Sequence, residues 1–316
     1  MWTYIIRRLL IAIPILFGIT IINFIIINLA PGNPVEMFID PNVPPEVLEA
    51  RKEALGLNDP LYVQYYHWLV NVLQGNLGYS FVTYQPVTDL IMERLGPTVL
   101  LMISSLLFGL IVAIPMGILS AVKQYSALDY LATGGAFLGI SLPNFFLGMA
   151  LIYIFALKLN LLPTGGLFTL GGDRSAGDML LHLILPTVVL GAHIAGKFIR
   201  YVRSSVLEIL GQDYIRTARA KGLREFWVVN KHGFRNALIP IITVIGLEIP
   251  LLMGGSVVVE QVFQWPGIGQ LMISSILSRD YPTLMALNLL AAVIVVVVNL
   301  VTDIVYSIAD PRIRYE

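Results

Sequence analysis

Between two long apolar runs, residues Asp213 to Pro240 read DYIRTARAKGLREFWVVNKHGFRNALIP and carry six cations: Arg216, Arg219, Lys221, Arg224, Lys231 and Arg235. Lys and Arg between apolar spans hold a loop on the cytoplasmic side of a membrane. A plain topogenic loop would need no internal order, yet this one has it. A helix-forming run around TARAK meets a stop at Gly222, and a second helix-forming run leads into Ile239-Pro240. Two short helices around a glycine make a defined surface. On such a surface a chain without an energy source could be pushed by one that has it. Asp213, Arg216, Thr217, Ala218, Ala220, Lys221 and Gly222 are the candidate residues of that surface.

Other patterns that could do chemistry fail on their neighbours. Gly191 to Lys197 fits GxxxxGK, but Phe198 stands where a hydroxyl must hold Mg²⁺, and an apolar helix precedes it where a strand is needed. Gly267-Ile-Gly269 lacks the third glycine of a dinucleotide loop. His67, His182, His193 and His232 show no ligand spacing. The absence of cysteine removes disulfides, thiolate metal sites and a cysteine nucleophile. No serine–histidine–aspartate grouping is suggested by local context. The residues predict a chain that is not itself an enzyme, holds no cofactor or metal, and binds no nucleic acid.

Glu248 is the other residue that stands out, near the middle of the apolar run GLEIPLLMGG. An ionised acid at membrane depth costs about 3 kcal/mol or more, so it must be paired, protonated or facing water. Gly246, Pro250, Gly254 and Gly255 surround it, and a helix there can kink or open. Two readings follow: Glu248, with Pro250 and Gly254, borders a solute path, or it is an acid hydrogen-bonding between helices. Asp303 reads as a snorkelling or capping acid. Gly135 and Gly139 are spaced for close helix packing.

The elements that must position these residues are membrane helices. Of 316 residues 57% are hydrophobic and 13% charged, with a mean hydropathy of +0.79, which makes the chain an all-α polytopic membrane protein. Runs of roughly 20 apolar residues predict six transmembrane helices, near Leu9–Ala30, Pro97–Val122, Ala132–Leu157, Leu180–Phe198, Leu238–Val259 and Thr283–Ile308. The first follows Arg7-Arg8 and reads as an uncleaved anchor, since its apolar core exceeds that of a signal peptide. With the N-terminus inside, 14 of the 20 Lys and Arg, including Lys197, Arg200 and Arg203, fall on the cytoplasmic side. Both termini are then cytoplasmic.

The domain reading is a cytoplasmic tip and first helix over 1–30, an extracytoplasmic subdomain over 31–96, a five-helix core over 97–308 and a tail over 309–316. The core contains the cytoplasmic loop 199–237. Within 31–96, PEVLEARKEALGL and LYVQYYHWLVNVLQ read as amphipathic helices, the second bearing an interfacial aromatic belt at Tyr62–Trp68. A glycine-rich outer loop, Asn160 to Asp178, is expected to be mobile. In a third outer loop, Trp265-Pro266-Gly267 reads as a turn at the membrane surface, with ISSIL as a re-entrant or interfacial helix.

Nearly end to end, the chain resembles the transmembrane permease subunit of an ATP-binding-cassette importer of the dipeptide/oligopeptide/nickel family, of its B type. The resemblance rests on YIIRRLLIAIPILFGIT, LAPGNP, GNLGYSF, DYIRTARAKGL, GGSVVVEQVFQWPGIGQL, SRDYP and NLVTDIVYSIADPRIRY. It implies a type I importer-like permease fold, a sister permease, two cytoplasmic ATPase subunits that bind ATP and Mg²⁺, and an extracytoplasmic solute-binding protein. It also implies the plasma (inner) membrane of a bacterium. The solute would be a di- or oligopeptide, with nickel or another small solute as the alternative; an ion-coupled secondary transporter is the less favoured rival. In the importer loop pattern EAA, three residues, Gly, the glycine falls on Gly222 and the Glu is replaced by Arg216, as is usual in this branch. The resemblance gives Thr217–Gly222 the role of receiving force from the ATPase, with Ala218 and Ala220 expected to face it.

Overall fold

The computed structural model describes residues 2–29, 58–229 and 235–309, with isolated positions between 46 and 56. The tail 310–316, Lys231 and most of PEVLEARKEALGL lie outside the described residues. The elements are α1 (Trp2–Leu29), α2 (Leu61–Leu73), α3 (Val87–Val122), α4 (Ala127–Ser141), α5 (Asn144–Leu151) continuing as a π-helix (Ile152–Lys158), α6 (Ala176–Leu210), α7 (Asp213–Ala220), α8 (Glu225–Trp227), α9 (Arg235–Val262), α10 (Ile268–Leu277) and α11 (Tyr281–Ala309). Among the described residues, four helices are long and apolar enough to cross a membrane, or six if each of two bent pairs counts as one span.

The third expected span, Ala132–Leu157, is not straight. Ala127–Ser141 and Asn144–Lys158 meet at 102°. Pro143 is the cause: it lacks the N–H that would continue α4, and its ring pushes Leu142 to extended backbone, ψ 124°. The spans are also longer than the apolar runs suggest. α3 has 36 residues and α6 has 35, about 54 and 52 Å at 1.5 Å per residue. Arg200 and Arg203 therefore lie inside α6 together with Lys197, whereas the expected span stopped at Phe198.

The chain divides into two compact units, Met1–Gly96 with Gly267–Val297, and Pro97–Pro266 with Val298–Glu316. In the first, Tyr65 on α2 hydrogen-bonds Thr20 on α1 at 2.9 Å and meets Phe24 edge-on at 5.3 Å. Val87, Ile91, Ile268, Ala286 and Leu287 form its small buried core. Two of the quoted motifs meet there, GNLGYSF and SRDYP. Asp280 accepts from Ser80 Oγ at 2.5 Å, Phe81 N–H at 3.0 Å and Thr283 Oγ1 at 2.7 Å.

In the second unit α6 is central, and its inner face carries Leu183, Val189, Leu190, Ile194, Phe198, Val202 and Val206, all buried. The two glycines of the GxxxxGK pattern are packing residues on this face. A Cβ on Gly196 would lie 2.6 Å from Ala136 O on α4, and one on Gly191 would lie 3.0 Å from Ser105 O on α3. A Cβ on Gly139 would lie 2.8 Å from Ala192 O in the same crossing, while one on Gly135 would have nothing within 4 Å. α9 bends by 44° between Val244–Met253 and Ser256–Val262.

The Asn160 to Asp178 loop, expected to be mobile, is tied down at both ends. Gly166 N–H donates to Phe263 O at 2.7 Å, and Thr169 donates twice to Asp178 through N–H and Oγ1, both at 2.7 Å. His182 Nδ1 lies 2.9 Å from Gly165 O. Trp265 is fully buried, not a surface turn residue, and its indole N–H donates to Pro97 O at 3.0 Å.

Candidate functional site

α7 is a short helix packed on the end of α6. Its eight residues are amphipathic, with Ile215 and Ala218 buried against Val228 and the end of α6 at Ile209 and Leu210. Asp213, Arg216, Thr217, Ala220, Lys221 and Gly222 are exposed. Ala218, expected to face outward with Ala220, points inward instead, because the helical spacing Ile215–Ala218 is the buried stripe.

The C-terminus of α7 closes in a Schellman arrangement. Leu223 N–H reaches Ala218 O at 3.4 Å and Gly222 N–H reaches Arg219 O at 2.9 Å. Gly222 has φ +76°, and nothing lies within 4 Å of where its Cβ would be. Glycine is required there by backbone conformation and not by space. Beyond the turn, Arg219 grips Glu225 with two bonds, Nε at 3.1 Å and Nη2 at 2.6 Å. These bonds hold the Glu225 carboxyl below its ordinary range and raise the guanidinium. Both side chains are about half exposed, so the pair shapes the turn more than it stabilises the chain.

Among the described residues, two ion pairs cross the helices of the second unit. Arg203 on α6 meets Asp129 on α4 with Nε–Oδ1 at 2.8 Å and Nη2–Oδ2 at 2.9 Å. Ser120 Oγ at the end of α3 also donates to Asp129 Oδ1, and Tyr125 N–H donates to Oδ2 at 2.9 Å. The carboxylate is 4% exposed and satisfied on both oxygens. This knot ties α3, the turn Lys123–Ser126, α4 and α6 together.

The second pair joins Lys197 on α6 to Glu248 on α9 through Nζ–Oε1 at 2.9 Å. Glu248 is 8% exposed and Lys197 is 31% exposed. Of the two readings of Glu248 drawn from the sequence, the hydrogen bond between helices is present, and its partner is a cation that had been counted as topogenic. Gly246, two residues earlier, packs so tightly on α11 that a Cβ would lie 2.3 Å from Thr302. That contact presses one side of α9 onto α11, while Glu248 reaches Lys197 from another. Pro250 is half-buried in the same helix, and Gly254 lies at the bend.

Sequence reasoning missed Asp129, and it counted Arg203 and Lys197 as topogenic cations without seeing them as the partners of Asp129 and Glu248. The usable signal was spacing: Lys197, Arg200 and Arg203 recur every three residues in a run whose neighbours are apolar, which places cations on a helix face.

Residues 113–315 match the family described as "Binding-protein-dependent transport system inner membrane component", and residues 1–102 match its N-terminal companion. The chain is 50% identical over its full length, and over all of the relative's, to the oligopeptide transport system permease protein AppB of Bacillus subtilis (strain 168). It is 42% identical, again over 100% of both chains, to the glutathione transport system permease protein GsiC of Escherichia coli (strain K12). Among solved structures, a chain of the inward-facing MetNI methionine ABC transporter superposes with a TM-score of 0.58 at 19% identity. The match covers 71% of this chain and 97% of that one, and it shows the shared fold.

Proposed function

Because this chain belongs to the family of inner-membrane components of binding-protein-dependent transport systems, we propose that it is a membrane subunit of an ATP-driven importer whose cargo is a short peptide. The observation that carries the cargo is the end-to-end similarity to two permeases, one named for oligopeptides and one for glutathione, itself a tripeptide. The working assembly contains a sister permease, two ATPase subunits that bind ATP and Mg²⁺, and an extracytoplasmic binding protein. It sits in the bacterial inner membrane with both termini cytoplasmic, in keeping with the cation count.

α7 is the element that receives force. Its buried stripe fixes it to the end of α6, so a push on Arg216, Thr217, Ala220 or Lys221 moves α6 as a rigid body. Alternating access then follows from ATPase closure outward and nucleotide release inward.

The test is uptake of labelled tripeptide by the reconstituted assembly, with ATP hydrolysis read in parallel. Peptide uptake that depends on ATP is expected; uptake of nickel with no uptake of peptide overturns the cargo. Gly222→Val forces a β-branched residue to φ +76° at a cost of at least about 1–2 kcal/mol. Peptide moved per ATP should fall severalfold while the protein still inserts. As the chain has no cysteine, Arg216→Cys and Ala220→Cys give clean cross-linking sites, expected to reach an ATPase subunit. No cross-link at either position, with normal coupling in Gly222→Val, would leave α7 a topogenic loop.

A further inference from the structure

The two ion pairs of the second unit differ in a way that assigns them different work. Asp129 is closed: both oxygens are occupied, and Arg203 meets it with two parallel bonds. Lys197 is open. Its ammonium has three protons and, among the described residues, one acceptor, Glu248 Oε1 at 2.9 Å, with nearly a third of the side chain uncovered.

The surroundings of Lys197 show what it opens onto. His193, Lys197, Tyr201 and Ser204 recur at helical spacing along α6, and this chain leaves all four half-exposed or exposed. The opposite face, with Phe198 and Val202, is fully buried in the core. A polar stripe on a membrane helix turns away from lipid, toward water or another polar surface. Adhesion between α6 and α9 does not need the charges, because Leu183, Val189 and Ile194 already pack in one cluster with Ile241, Leu252 and Val259. Apolar replacements of such a pair are commonly neutral for stability, so helix adhesion by itself does not account for it.

We propose that Lys197 and Glu248 form a charge-exchange site for the termini of a zwitterionic peptide. The Lys197 ammonium takes the solute carboxylate, and the Glu248 carboxylate takes the solute ammonium. This deepens the peptide-import reading and rests on it. Exchange replaces one ion pair by two and never leaves a lone charge at membrane depth, where an unscreened charge is most costly. A peptide blocked at one end leaves Lys197 or Glu248 without a partner once the pair has opened, so the site rejects it by what it leaves unpaired.

The test uses the whole assembly in proteoliposomes, with the binding protein saturated in turn by trialanine, N-acetyl-trialanine and trialanine amide. Initial uptake is read as ratios of free to blocked peptide, which do not depend on how much complex assembles. In the wild type each ratio should be on the order of tenfold or more. Lys197→Met with Glu248→Leu should bring both ratios close to one. Glu248→Gln keeps an acceptor for the Lys197 hydrogen bond and removes the negative charge, so it guards against misfolding of the double variant. It should lose discrimination against the N-acetyl form while retaining it against the amide. Wild-type ratios in both variants overturn the site and leave peptide import standing. A wild-type assembly that takes up none of the three peptides overturns the import reading and the site with it.

Discussion

At the scale of single residues, the same chemistry serves two ends, and burial separates them. Asp129 is enclosed by Arg203, Ser120 and the Tyr125 amide, so removing one partner strands a charge. Arg203→Leu should lower stability by about 3 kcal/mol, while Asp129→Ala combined with Arg203→Leu should cost clearly less than the sum of the single changes. Thermal unfolding of the detergent-purified assembly, run as a double-mutant cycle, measures the difference. Additive single effects would mean that the two side chains do not act as a pair. Lys197, by contrast, has spare donors and exposed surface, so its substitutions are expected to change selectivity before stability.

At the scale of elements, what matters is how short segments are pinned to long helices. α7 has only eight residues, too few to be stable alone; the buried contacts of Ile215 and Ala218 and the glycine turn supply what length does not. The segment Gly78–Gln85 is fixed by a different device, the Asp280 carboxylate, which gathers Ser80, Phe81 and Thr283 from positions about 200 residues apart. Asp280→Ala would remove three charge-assisted bonds and leave the Phe81 amide without its acceptor. We expect a loss of about 2–4 kcal/mol and faster amide exchange across 79–85. Unchanged exchange there would show that the bridge between Tyr79 and Pro86 holds the segment by itself.

At the scale of the whole molecule, the chain is a membrane component of a binding-protein-dependent transport family, and under the proposed function its energy comes from partner subunits. Its phosphate-loop-like pattern lies in the interior of α6, where Gly191 and Gly196 let neighbouring helices approach and Phe198 is fully buried. A helix interior has no free amides to cradle a phosphate. Purified without partners, this chain should therefore hydrolyse no ATP above background, and hydrolysis should appear when the ATPase subunits are added. Stoichiometric turnover by the isolated chain would contradict that account.

The sequence alone determined the class, the helical character and the place of the short helix and glycine stop at Asp213–Gly222. Apolar run length, cation placement and glycine punctuation are local properties, set by residues close together in the chain. It also marked Glu248 as a charge in need of a partner. It could not say which partner, because Lys197 is 51 positions away and was read as the end of a span that in fact continues to Leu210. The knot at Asp129, the bridge at Asp280, the inward turn of Ala218 and the burial of Trp265 were equally out of reach. Each depends on which faces of distant helices meet, and a pairing of that kind is decided by packing: close approach at Gly139 and Gly196, a proline bend at Pro143, and the need to pair buried charges such as Asp129 and Glu248.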